Sequence, residues 1–588
     1  MRTALSATPL LVATALGACG SDTKTPNGAT PPVSAPSSPG ADSGPPTSGG
    51  GTSPWQGLPG ERMGPLAKAA SARTATFMTH DECAFCHTTE TGSSVLRDAK
   101  GRDVSPVESF RGSMMGLAAR DPYYLAVLEH ELGAHPGAEA TVMSTCTRCH
   151  APAGNVELAK AGKNLTYGDL TTGTSPEATV GRDGVTCSLC HQITPQGLGT
   201  PASFTGGYTI DANRTIYGPH ASPFATPMVQ RVNYTPTASS HMTDSGLCGS
   251  CHTVVTRALD TKGAPTGPEV LEQGPFVEWS VSRFAKPGGK TCQDCHVPVT
   301  DDDGAPISTV LSLRPGPGRL SPRSPVGRHL FSGANALMLR VLANERAWAG
   351  YDAPAELLFA QAERAEASLR TAARLTVLPI ERAGEGASVR VRVENLTGHK
   401  LPTAYPSRRM WLHVRVTDAA GALVLESGAA RDGRIVDGAG NVLDAKGAVL
   451  AHTTEITSST GVSVWEAIPK NAEGREATSL LEATGYAKDD RLLPEGFDAA
   501  DPRATLALPV GTAQDGDFVP GGDTVLYRVP RAPAGSVVEV RLLYQTIRPS
   551  ELEHLAEKPG PAALRFLDMI GPNAMAPLVV ATARATVP

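Results

Sequence analysis

The stretch DECAFCHTT at residues 81–89 carries Cys83, Cys86 and His87 in the pattern C-x-x-C-H. Two thiols at this spacing can hold zinc, cycle as a redox disulfide, or form thioethers to a haem whose iron the following histidine ligates. The pattern returns as CTRCH (Cys146, Cys149, His150), CSLCH (Cys187, Cys190, His191), CGSCH (Cys248, Cys251, His252) and CQDCH (Cys292, Cys295, His296). The chain has 11 cysteines, and all but Cys19 belong to these motifs. Zinc needs paired C-x-x-C elements or added His ligands, and neither zinc nor thioredoxin-type chemistry requires a His after every second Cys. Haem attachment does, so the sequence predicts five covalently bound c-type haems with His87, His150, His191, His252 and His296 as proximal iron ligands.

Five porphyrins also make sense of the composition. The 588 residues are long enough for two or three domains, yet aromatic residues make up only 5% and no cysteine is left over for a disulfide framework. The haems supply the large flat apolar bodies that side chains do not. A formal net charge of -6 and a pI near 6.2 argue against nucleic acid as a partner. No internal apolar run approaches the roughly 18 residues of a membrane helix.

The chain begins MRTALSATPLLVATALGACGSD, with one Arg, a short apolar run and Leu16-Gly17-Ala18 before Cys19. An apolar stretch this short reads as a secretory signal, and L-G-A-C resembles a bacterial lipobox with Cys19 as the lipidated residue. Residues 1–19 are thus expected to be a lipoprotein signal peptide. Gly20 after Cys19 points by resemblance to the outer membrane, on its periplasmic or its cell-surface face. Residues 20–70 follow as a tether, rich in Gly, Pro, Ser and Thr up to about Gly60 and unable to bury a core. About 40 such residues span on the order of 35 Å.

Residues 71–345 hold all five motifs among short helical pieces and Gly/Pro turns, and read as the haem domain. RGSMMGLAARDPYYLAVLEHEL (111–132) is the clearest helix there, broken near Asp121-Pro122. Residues 346–375 read as a connecting helix, with Asp352 as N-cap, Pro354 in the first turn, and Leu358, Ala362, Ala365, Leu369 and Ala372 on one apolar face. From 376 to 588 the period changes to two. Segments 387–396, 410–418, 523–530 and 536–547 alternate apolar and polar residues as half-buried strands do, predicting an antiparallel β-sandwich without a haem of its own. The expected fold is therefore α+β and multidomain: a mostly helical and irregular multihaem domain, then the sandwich.

What fills the sixth iron position decides the chemistry. A second strong ligand makes an electron carrier, and an open position makes a catalyst. Of 15 histidines, ten lie outside the motifs. His80 stands just before the first motif and His241 just before the fourth; His220 sits in YGPHASPF, His329 in GRHLFSGAN and His130 on the 111–132 helix. These are the distal candidates from context. Met114 and Met115 are read as packing against a porphyrin face rather than as thioether ligands. His413 should point outward from its strand with Arg415, and His452 and His554 fall in loop-like or helical surface sequence.

The stretches FRGSMMGLAARDP, CTRCHAP, DGVTCSLCH, YGPHASPFATPM, SGLCGSCHTV, FVEWSVSRFAKPGGKTCQDCHVP and HLFSGAN, with NLTGHKLPTAYPSRRMWLHV and YAKDDRLLPEGF farther on, resemble bacterial multihaem c-type cytochromes distantly related to the tetrahaem electron acceptor of hydroxylamine oxidoreductase. The resemblance covers most of 75–550. It implies electron transfer, and it singles out His329 and also His399, whose TGHKLPT turn would reach from the β domain to a haem. Pentahaem nitrite reductases carry a Lys in one motif, whereas here every motif ends in His, so their ammonia-forming haem is not indicated. The expected role is a lipid-tethered electron carrier between periplasmic or outer-membrane redox proteins, or to an extracellular acceptor, with no catalytic residue assigned. The alternative is an oxidoreductase acting on a small nitrogen or sulfur compound at one five-coordinate haem. A third reading has the sandwich dock a partner or mineral surface while the haems relay electrons.

Overall fold

Each C-x-x-C-H motif lies on or beside a single helical turn, because that turn brings residues three and four apart onto one face and so sets both thiols beside the histidine. The computed structural model describes residue 55 and residues 57–260, 262–315, 320–571 and 575–588. Motif one closes the helix His80–His87, motif two closes Glu139–His150, and motif five is the helix Cys292–His296. Motif three begins at Cys187–Cys190, and motif four straddles the end of Ser245–Gly249. Such short helices need help at their ends. Thr291 and Asp294 form a reciprocal capping box on Cys292–His296, and Asp244 accepts from the Gly246 amide at 2.6 Å.

The 111–132 segment is helical only from Pro122, in Pro122–Ala134, where Asp121 accepts from the Tyr123 amide at 2.9 Å and Pro122 occupies the first turn. Met114 packs into the apolar cluster of Leu117, Leu125 and Leu339. The connecting helix is shorter than expected. It runs Ala355–Arg370 with Pro354 at the cap position, and Asp352 instead faces Arg111 at 3.3 Å. Its buried Leu358, Ala362 and Ala365 pack with Leu339 and Leu342 of Ala336–Asn344. Ala372 lies beyond the helix. The next residues form the strand Ala373–Val377, which pairs with Gly386–Asn395, so ladder hydrogen bonds take over where helical periodicity fades.

The expected strands stand at Gly386–Asn395, Arg409–Thr417, Gly522–Val529 and Val537–Gln545. They divide between two sheets. In one, Gly522–Val529 pairs antiparallel with Gly386–Asn395 in continuous register from Gly522↔Glu394 to Val529↔Ala387. In the other, Val537–Gln545 lies between Arg409–Thr417 and Leu578–Thr586. Val389, Val391 and Val393 from the first sheet and Leu412, Val414 and Val416 from the second belong to one buried cluster. Two features depart from an all-antiparallel sandwich over 376–588. Glu455–Ile456 pairs parallel to Gly522–Val529, and the helices Pro549–Glu557 and Pro561–Met569 pack against Pro122–Ala134. Glu129 of that helix accepts from the Ala562 and Ala563 amides at 3.0 and 3.1 Å, a carboxylate on a helix N-terminus.

The described residues belong to one compact unit. One tie between its halves is ionic. Glu278, on the helix Pro275–Ser280, accepts from the Lys400 amide at 3.0 Å and pairs with Arg491 at 3.3 Å; Arg491 pairs with Asp489 at 2.7 Å, and Asp489 with the Lys400 ammonium at 2.7 Å. Glu278 and Lys400 are fully buried. No helix among the described residues is long and apolar enough to cross a membrane. The expected signal peptide, Cys19 and most of the tether lie outside the described residues.

Candidate functional site: histidine pairs and motif thiols

The motif histidines are aimed before any iron is considered. His87 donates from Nδ1 to the Leu311 carbonyl at 2.9 Å, His150 to Ala118 at 3.1 Å, His191 to Tyr217 at 2.6 Å and His296 to Ser332 at 2.8 Å. A bond at Nδ1 fixes the tautomer and leaves the Nε2 lone pair for a metal. Burial holds His87, His150, His191 and His296 below the ordinary histidine range and His252 at about 4, so all five imidazoles are neutral, the form that ligates.

Two motif histidines face a second imidazole. His191 and His329 have ring centroids 6.1 Å apart with planes at 23°, and His296 and His399 have centroids 6.4 Å apart with planes at 21°. With metal–nitrogen bonds of about 2.0 Å, two imidazoles on opposite faces of one iron have centroids roughly 6.3 Å apart. Both pairs match that spacing. Each outer histidine is also fixed at Nδ1, His329 by the Gly327 carbonyl at 3.3 Å and His399 by the Lys400 carbonyl at 2.9 Å. His399 is held in place by the buried ionic tie, since Lys400 follows it directly, and Asn395 clamps its carbonyl at 2.8 Å.

The other distal candidates divide. His80 is buried, with Nδ1 on Asp183 at 2.5 Å, and it lies near the Cys187 thiol of motif three. His220 is half-buried beside Arg323. His130 lines a small cavity with Tyr405, Glu551 and His554. His241 is the clearest departure from expectation: Nδ1 bonds the Ser239 hydroxyl at 2.7 Å and Nε2 the Ile193 carbonyl at 2.9 Å, so no ring nitrogen is free. Among the described residues none of these four stands opposite a motif histidine at the ligation spacing.

The ten motif thiols are free of disulfides, and they meet across motifs. Cys187 lies close to Cys83, Cys149 to Cys251 and Cys248 to Cys292, while Cys190 lies near Cys251. Attachment points one, three and four therefore form a row, with two and five each against four. Sequence order does not reveal this. His252, at the junction, has His150, His296, His399 and Arg408 near it.

Several residues here carried no sequence signal. Tyr124 stacks on His150 with centroids 3.8 Å apart and planes 3° from parallel. Glu272, beside the motif-two thiols, is pushed up to about 8 by burial and by Glu131. His554 is buried rather than on the surface, and His452 is enclosed by carboxylates. His413 bonds Glu426 at 3.0 Å on a half-exposed face, as its strand position predicts.

No family model and no curated protein matches the sequence. Among solved structures the chain is similar to a penta-haem cytochrome c552 from Thermochromatium tepidum, at 17% identity and a TM-score of 0.49, over 88% of this chain and 100% of that one. A likeness that weak fixes nothing by itself. The haem reading rests on this chain's own cysteines and histidines.

Proposed function

We propose that this chain is a multihaem c-type cytochrome that carries five covalently attached haems and passes electrons between redox partners. The observation that carries the reading is the pair of opposed imidazoles, His191 with His329 and His296 with His399, at the spacing two ligands of one iron require. Bound haem supplies one-electron chemistry. The protein's part is to hold neutral imidazoles by their Nδ1 atoms, to exclude water by burial, and to bring attachment points into contact so that motif four joins two branches. The anchor belongs to the same proposal: Cys19 carries lipid, and the tether lets the folded part stand off an outer membrane. Its partners are then other redox proteins or an extracellular acceptor.

The test is spectroscopic. Five haems per chain by pyridine haemochrome, a predominantly low-spin oxidised spectrum and little response to cyanide are expected; fewer than five haems sinks the stoichiometry. Cys19→Ser should move the protein from the membrane fraction to the soluble one, and a wild type already soluble overturns the anchor. One observation favours a second reading, turnover of a small nitrogen or sulfur compound. Among the described residues no imidazole stands opposite His87, His150 or His252 at ligation spacing, and the Arg408 cation is close to His252. A cyanide-sensitive high-spin haem in wild type puts that reading first.

A further inference from the structure

The two-sheet region contains a group of side chains that the haem reading does not use. His452 sits between two carboxylates, with Nδ1 on Asp490 at 2.9 Å and Nε2 on Asp515 at 2.8 Å, and its side chain is 3% exposed. Asp523, at the start of Gly522–Val529, completes the group: a His452 ring nitrogen, an Asp515 oxygen and an Asp523 oxygen all lie within 4.8 Å of one another. Asp523 is fully buried. Its Oδ2 accepts from the Trp465 indole at 2.8 Å, while Oδ1 has no hydrogen-bond partner, with the Thr524 amide near the carboxylate. A buried carboxylate oxygen left unpaired costs on the order of 1–3 kcal/mol or more. That oxygen is open to a further partner, and the positive groups able to reach it are the His452 ring beside it or a metal ion.

The surrounding groups divide into ligands and supports. Asp490 also faces Lys488 at 3.3 Å and accepts from the Glu466 amide at 2.9 Å, so its charge is already matched and its role is to fix the imidazole. Asp515 uses Oδ1 for the Asp517 and Phe518 amides, which leaves Oδ2 for the site. Phe518 stands edge-on to His452 at 5.3 Å and closes one side. Asp517, with Arg392 near it, lies just outside. A carboxylate on one nitrogen of a histidine whose other nitrogen faces a second carboxylate, with a third close by, is the arrangement that orients metal-binding imidazoles. The donor set is one nitrogen and two oxygens. Calcium takes oxygen ligands in greater number, whereas an imidazole with carboxylates suits zinc and its neighbours.

We propose that His452, Asp515 and Asp523 bind one divalent metal ion of the zinc class, with Asp490 as the positioning residue, and that the ion pins the loop carrying Asp515 to the edge of Gly522–Val529. Zinc–ligand distances of about 2.0–2.2 Å place neighbouring donor atoms roughly 3.4 Å apart. The His452–Asp515 pair opens slightly, and Asp523 is drawn in. The competing account is a buried histidine that merely bridges carboxylates by hydrogen bonds.

The experiment uses the full-length holoprotein, stripped with a chelator, exposed to zinc chloride alone and desalted. One zinc per chain is expected by elemental analysis beside unchanged haem iron, with calcium chloride giving no uptake. The zinc K-edge spectrum, which the haem irons do not obscure, should show a shell of nitrogen and oxygen with one imidazole. Asp523→Asn and His452→Gln should each weaken zinc retention at least tenfold and leave the haem spectrum as it was; Asp490→Asn should weaken it about 10–100-fold. The proposal is overturned by a wild type that retains no zinc, by variants that retain it fully, by uptake of calcium instead, or by a zinc shell containing sulfur or no imidazole. The last measurement needs only wild type, so it stands even if a variant fails to fold.

Discussion

In the two-sheet region Val389, Val391 and Val393 meet Leu412, Val414, Val416, Val538, Val540 and Leu542 in one continuous buried cluster. Between residues 57 and 345 most buried apolar side chains instead fall into several separate groups, some as small as Val95, Leu96 and Leu313, or Val104, Ile307 and Val326. The first region buries side chains against side chains, most of them its own. The second is arranged around thiols and imidazoles that, on the proposed reading, hold haem. A chain can therefore hold one fold whose two parts depend on different things, one on hydrophobic periodicity and the other on a covalent cofactor.

The strongest way to break this contrast is to withhold haem. Expressed without haem-maturation machinery, the full chain should lose protease resistance across 71–345 while fragments from about 373–588 persist. Equal protection of both regions would mean that the small groups suffice as a core. The boundary will not be sharp, because Leu271, Val277 and Val281 of the motif-bearing region pack into the core of the two-sheet region.

Next in size is the ionic tie. Glu278→Gln keeps the shape and one oxygen that can accept from the Lys400 amide but removes the charge that faces Arg491, leaving the buried cations with Asp489 alone. Breaking a buried pair from one side costs about 3–5 kcal/mol. Denaturant unfolding of the holoprotein should show a loss of that order. An unchanged midpoint would reduce the tie to a by-product of packing.

The same residues show what was legible in the sequence. The four strands were readable because their apolar faces repeat every second residue against other apolar faces, and the motifs because haem attachment fixes their spacing. Glu278 and Arg491 are some two hundred positions apart with no local pattern to join them, so the tie was invisible. His241 and His399 show the same limit for ligands: nearness to a motif suggested the first, yet Ile193 and Ser239 take both its nitrogens. The helices Pro549–Glu557 and Pro561–Met569 did have a signal, a proline at the first position of each, which strand alternation on either side overshadowed. His452 read as surface because its carboxylate partners come from three separate segments.

A smaller effect sharpens the contrast through acid. Burial works against ionisation of Asp489, but the Arg491 and Lys400 charges prevail and hold it at about 2, below the ordinary aspartate value. A depressed carboxylate stabilises the fold above its unfolded value, and that contribution is lost as pH falls through the folded one. The window runs from about pH 4 down to about pH 2. Stability of the two-sheet region should decline there, and Asp489→Asn should flatten the decline after its own initial cost. A variant that keeps the full wild-type slope assigns the acid sensitivity to other carboxylates.

The smallest change to the fold carries the most information about function, because one side chain joins the two regions. His399 belongs to the loop that leads into the strand Arg409–Thr417, yet its ring stands 6.4 Å from His296 of motif five. His399→Ala removes one local hydrogen bond, from Nδ1 to the Lys400 carbonyl, while Asn395 still holds the backbone carbonyl of residue 399, so the unfolding midpoint should shift only slightly. Its effect should fall on one haem of five, which turns high-spin and begins to bind cyanide, as electron paramagnetic resonance would show. His329→Ala should do the same at motif three. His241→Ala is the control: with both ring nitrogens engaged by protein, it should leave every spin state unchanged and cost only hydrogen-bonding stability. If His399→Ala leaves the low-spin spectrum intact while His241→Ala does not, the opposed pairs are packing neighbours, and the two-sheet region has no direct part in the redox chain.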